Sequence, residues 1–131
     1  MKFFKGVLFV ACSLFAINSY SMGFSKQYVK CMESSNNQIK IINFCQAKEL
    51  KAQNKRMKKL FKKNMALSNN QEKSSLNIIQ IQWASQRDLS CGLRNKKPKQ
   101  FTTANMGCSL QLTSARADML EVQVKNKTFS R

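Results

Sequence analysis

The stretch "LNIIQIQWASQRDLSC", Leu76 to Cys91, decides the fold. Read as a helix, it sets Leu76, Gln80, Trp83, Arg87 and Cys91 at spacings of four, three, four and four, so all five share one stripe. A core stripe would carry five apolar residues, and here a glutamine and an arginine interrupt it. Arg87 stands one turn beyond Trp83, the only tryptophan of the chain, and can lie over its indole. Such a contact is worth about 0.5–1 kcal/mol at an exposed site and more when desolvated. Gln80 can hydrogen-bond to a neighbouring helix. Ile79 joins Leu76, Trp83 and Arg87 on the same side.

Working outward, "SNNQE" ends the preceding pattern, and Asn69 with Glu72 offers an N-terminal capping pair for this helix. Upstream, Leu50, Met57, Phe61 and Met65, with Leu60 beside them, predict a long helix ending near Leu67. Asn43 followed by Gln46 resembles a capping box and sets the expected start of that helix. A short first helix is expected from Ser25 to Asn36, broken by "SSNNQ". Downstream, "GLRNKKPKQFTT" is a loop containing Pro98. The last helix is expected from about Asn105, with Leu110, Ala117, Leu120 and Val124 on one face and a frayed end at "KNKTFSR". One proline and few glycines leave little turn punctuation for a sheet. The expected fold is all-α: a small antiparallel helical hairpin or bundle of three to four helices with short loops.

The first residues, "MKFFKGVLFVACSLFAINSYS", combine Lys2 and Lys5 with an apolar run from Gly6 to Ile17 and small residues at Ser19 and Ser21. They read as a secretory signal peptide, residues 1–21, too short for a membrane span. Lipid attachment at Cys12 is the alternative; the apolar run continues past it, and Phe9 suits a lipobox poorly. Residues 22–131 then form a single domain with its core over about 26–125, periplasmic or secreted. Removing Lys2 and Lys5 lowers the formal charge from +17 to +15, against 6 acidic residues in the whole chain. A charge of that size costs stability by self-repulsion and favours anionic partners.

With Cys12 gone, Cys31, Cys45, Cys91 and Cys108 remain. An even set in a small exported chain implies two disulfides. Of three connectivities, the local one, Cys31–Cys45 and Cys91–Cys108, closes helix-to-loop segments within a hairpin. Zinc would want closely paired ligands, and the chain has no histidine. The same lack removes Ser-His and Cys-His nucleophilic sites. No phosphate-binding glycine loop occurs either. The acids, Glu33, Glu49, Glu72, Asp88, Asp118 and Glu121, are expected at the surface or in ion pairs, not as a facing glycosidase pair. No enzyme, cofactor or metal is expected.

The order Leu76, Gln80, Trp83, Arg87-Asp88, Cys91 resembles the signature of the LprI-type lysozyme-inhibitor domain family, named after a mycobacterial lipoprotein. The resemblance runs from Cys31 to about Leu120, with Cys45, Leu50, Thr113 and Arg116 in register. Asn54 replaces a frequent aspartate, Phe61 a common tyrosine, and Gln86 an aromatic residue. The resemblance implies a small, exported, helical four-cysteine domain and an inhibitory role toward lysozyme or another wall hydrolase. It makes Leu76, Gln80, Trp83, Arg87, Asp88 and Arg116 motif residues, expected to form a helix junction first and a recognition surface second.

A second candidate site is charge alone. Lys48, Lys51, Lys55, Lys58, Lys59, Lys62 and Lys63, with Arg56, face Glu49 as the only acid of "KELKAQNKRMKKLFKK", and the loop adds Arg94, Lys96, Lys97 and Lys99. Soluble helices usually intersperse opposite charges. An unneutralised lysine face suits anionic envelope polymers or a membrane surface. Aromatics are scarce on it, so base stacking with sequence-specific nucleic acid has little support.

Overall fold

The computed structural model describes residues 23–130. The leader read over residues 1–21, with Cys12, lies outside them. Helix α1 spans Lys26–Glu33, α2 Ile39–Ala66, α3 Asn70–Ser90 and α4 Thr103–Phe129, with a short 3-10 turn at Pro98–Gln100 before α4. No strand occurs among the described residues. The expected all-α fold with two bridges is the one found. Cys31 pairs with Cys45 and Cys91 with Cys108, at Cα separations of 5.7 and 5.5 Å.

Consecutive helices are antiparallel, yet the pair that packs most closely, α2 with α4, is parallel. Its cross-contacts advance together: Thr103 meets Asn43, Asp118 meets Arg56, and Gln123 meets Asn64. Small residues allow the approach. Ser109, Thr113, Ser114 and Ala117 are buried along α4, and a methyl group added at Gly107 would lie 3.1 Å from the Gln46 side chain. The apolar core of Met57, Ala117 and Leu120 sits on this seam, with Leu60, Phe61 and Trp83 packed around it. Helix α3 has no buried residue of its own and stands off the pair on long side chains.

Four boundaries differ from the sequence expectation: α1 ends at Glu33, short of Asn36, and the other three concern α2 and α4. Asn43 and Gln46 do not start α2: the helix begins at Ile39, and Gln38 caps it without a side-chain hydrogen bond. The preceding turn places Asn36 and Asn37 at φ 47° and 59°, which asparagine tolerates better than most residues. The Cys31–Cys45 bridge then ties the start of α2 to α1. Helix α4 begins at Thr103, two residues before the expected Asn105, with Thr102 as the cap and Asn105 as its reciprocal partner. The end of α4 does not fray before Phe129. Lys127 donates to Asn64 Oδ1 and Ser68 Oγ at 2.7 and 2.6 Å, pinning the last turns to the α2–α3 corner. The Asn69–Glu72 capping box at the start of α3 is present as read.

Five of the six acids are exposed or in ion pairs, as expected, and one is not. Glu49 is only 3% exposed. It accepts hydrogen bonds from the Ser25 amide, the Ser25 hydroxyl and Gln53 Nε2 at 2.8, 2.6 and 2.8 Å, which solvates the buried carboxylate without an ion pair. Gln53 also donates to the Gly23 carbonyl, so this inward polar stripe of α2 clasps the segment leading into α1. Tyr28 lies nearby, its pKa raised by burial and secondarily by the Glu49 charge.

Candidate functional site

Trp83 sits where α3 faces both other long helices. The Arg87 guanidinium lies 5.0 Å from the ring centroid, as its position one turn on predicts, and Arg116 of α4 reaches within 5.8 Å. Arg87 is further held by Asp88 at 3.0 Å and by Thr113 Oγ1 at 3.2 Å. Gln80 makes the cross-helix bond its place on the stripe implied: its Oε1 accepts from Arg116 Nε at 3.0 Å. Arg116 is 5% exposed and has no carboxylate partner among the described ion pairs. Burial lowers its pKa from the ordinary arginine value, although a guanidinium keeps its charge at neutral pH. Leu76 lies part-buried one turn before Gln80, and Cys91 closes the stripe with its bridge, while Ile79 on the same side is exposed. The motif residues therefore form a bonded junction, with a second arginine on the indole that spacing within α3 could not reveal.

The lysine face is laid out as the sequence implied. Lys48, Lys51, Lys55, Lys58, Lys59, Lys62 and Lys63 are all exposed, and none enters an ion pair among the described residues. Glu49 turns inward and neutralises none of them. Arg56 leaves the face as well: it bonds Asp118 at 2.7 Å and Glu121 at 3.1 Å on α4. In the loop, Arg94 donates to Ser85 on the outer side of α3, and Lys96 reaches Asn105. Lys97 and Lys99 are exposed beside the 3-10 turn.

The two candidate sets meet in one hollow of about 530 Å³ between α2 and α3. Lys58 and Lys62 line it from α2; Gln80, Trp83 and Arg87 line it from α3. Asn54 and Phe61, two of the positions that depart from the family pattern, line it too. No acid among the described residues does, so the hollow offers cations around an aromatic wall. Such a surface can receive a carboxylate or phosphate beside an apolar group.

Among the described residues no group of His, Cys, Asp and Glu is placed to hold a metal, and no helix is long and apolar enough to cross a membrane. The fold and the junction define a small helical domain stapled by two local disulfides, the kind of chain that persists in an oxidising compartment. A family model described as "Lysozyme inhibitor LprI" matches residues 31–120, from the first bridging cysteine to the core leucine of α4, and the chain belongs to that family. No curated protein and no solved structure matches it.

Proposed function

We propose that this chain is an exported, non-enzymatic binding protein of the bacterial envelope that inhibits a cell-wall hydrolase with an acidic surface. The observation that carries the reading is the family match over residues 31–120. The cation-lined hollow beside Trp83 supports it with a chemistry suited to a partner's carboxylates. Charge selects among hydrolases. Animal lysozymes of the common type are cationic, and an exported chain that has lost Lys2 and Lys5, of formal charge +15, repels them at long range. That repulsion is screened over about 8 Å at physiological salt, so it slows encounter more than it opposes contact.

A second reading has its own observation. Seven exposed lysines without ion pairs among the described residues favour a basic interaction module that binds anionic envelope polymers or a membrane surface through Lys48–Lys63. The purified domain, assayed for inhibition of a cationic lysozyme and of an acidic wall hydrolase, and for salt-dependent binding to isolated envelope polymers, separates the two. Inhibition of the acidic hydrolase with little effect on the cationic one supports the first reading. Polymer binding that falls with salt, with no hydrolase inhibited, supports the second. Tight, salt-insensitive inhibition of cationic lysozyme would show that the charge argument selects the wrong target.

A further inference from the structure

The lysine face of α2 has a second border. Toward the N-terminal end of α2, adjoining the α2–α3 hollow with which it shares Asn54 and Lys58, the loop before α4 folds along the helix and leaves an open groove of about 760 Å³. Leu50, Phe101 and Met106 give this groove apolar walls, and Lys51, Lys55 and Lys58 line it from α2. Its size falls within the range of small-molecule sites, roughly 300–1,000 Å³. The three lysines recur at spacings of four and three, so their ammonium groups follow one edge over about two helical turns. None of them has an ion pair or a hydrogen bond with another described residue, and no acid among the described residues lines the groove. A solvated lysine face needs no apolar trough beside it, and an anionic polymer would leave that trough exposed to water.

We propose that this groove binds a single-chain amphiphile: an alkyl chain along Leu50, Phe101 and Met106, with a phosphate head held by Lys51, Lys55 and Lys58. Burying the chain removes apolar surface from water on both partners, about 25 cal/mol for each Å². The head meets point charges with rotatable donors, which suit a phosphate whose orientation is not fixed. Neither half suffices alone. Exposed lysines hold inorganic phosphate weakly, and a neutral chain gains nothing from the rim. The inference rests on the lysine-face reading only in using the same side chains; it requires a lipid-like ligand instead of a polymer.

The test uses the disulfide-bonded domain and dodecyl phosphate below its micelle concentration, followed by calorimetry and by amide chemical shifts. The expected result is one-to-one binding, with the largest shifts at Leu50, Phe101 and Met106. Lys51→Gln/Lys55→Gln/Lys58→Gln should weaken it by about tenfold, as three exposed charge contacts would. Ala47→Trp, at an exposed α2 position on the groove wall, should block the trough without disturbing the core. Inorganic phosphate and dodecyltrimethylammonium should each bind at least tenfold more weakly. Equal affinity for the cationic amphiphile, shifts confined to another hollow, or affinity unchanged in both variants would overturn the proposal. Inorganic phosphate binding as tightly as dodecyl phosphate would overturn it too, and would leave the lysine-face reading standing. Dodecyl phosphate bound in the groove, with no affinity for envelope polymers, would sustain the inference and end that reading.

Discussion

Helices α2 and α4 are joined by small residues, whereas α3 is joined by large ones, and the two seams behave differently. Along α4 the buried side chains are mostly serine, threonine, alanine and leucine, so α2 comes close, and most buried positions among the described residues belong to these two helices. Helix α3 offers Gln80, Trp83 and Arg87, which reach across a wider gap through hydrogen bonds and ring contacts. It buries nothing completely, and it leaves Ile78, Ile79, Ile81 and Leu89 exposed. The close seam is stabilised by dispersion and excluded water; the open seam depends on a few long side chains and on the bridge at its end. Stability should therefore be concentrated between α2 and α4, with α3 the first element to open.

The largest test strikes the close seam. Leu120 is fully buried, and Leu120→Ala should cost about 2–5 kcal/mol, read as a lower denaturant midpoint with an unchanged slope. Trp83→Ala should cost less, about 2 kcal/mol, because the ring is only part-buried and the junction can rehydrate. Amide exchange would add detail: the variant should expose α3 while α2 and α4 stay protected. Equal costs for the two substitutions would erase the distinction between the seams. A Trp83→Ala protein that melts like wild type and loses its partner would make the ring a recognition residue instead.

Smaller effects sharpen the picture at the ends. The Asn69–Glu72 capping box starts α3, and Asn69→Ala should cost about 1 kcal/mol in thermal unfolding. The smallest effect is at alkaline pH. The Tyr28 pKa is raised in the folded state by burial and by Glu49, so the fold favours the neutral phenol. That contribution is fully present below the unfolded tyrosine value, about 10, and is lost as pH rises through the folded one. Comparing melting temperatures of wild type and Tyr28→Phe from pH 8 to 11 should show the wild type falling further above pH 10. Parallel curves would mean that Tyr28 does not couple to folding.

Much of this was legible because it was local. The α3 stripe, its capping box, the bridge pairing and the run of lysines are all written within a few turns of sequence, and the structure places them as read. Partner-dependent features were not. The polar residues Gln46, Glu49, Gln53 and Asn64 are buried in α2 at helical spacing, yet periodicity of apolar residues alone does not count them. Asn43 imitates a cap, but in the folded chain its Oδ1 accepts from Thr103, which only the α2–α4 contact supplies. The fraying expected at the C-terminus failed for the same reason: Lys127 is anchored by residues about sixty positions earlier. In the candidate sites, the sequence supplied the charges and the tryptophan. Arg116 on the indole and the apolar wall of Phe101 and Met106 required the return of α4 and its loop.

The two bridges join neighbouring cysteines of the folded domain, 14 and 17 positions apart, with neither loop enclosing the other. A chain that meets an oxidant from its N-terminal side onward can close the first loop before Cys91 arrives. The second pair then has no free competitor from the first, so order of arrival alone selects one connectivity out of three. Thiol exchange, the slow route by which misjoined cysteines are corrected, is not needed for that outcome. On that order of arrival, the clasp between α1 and α2 would be a finished unit before α3 and α4 are delivered.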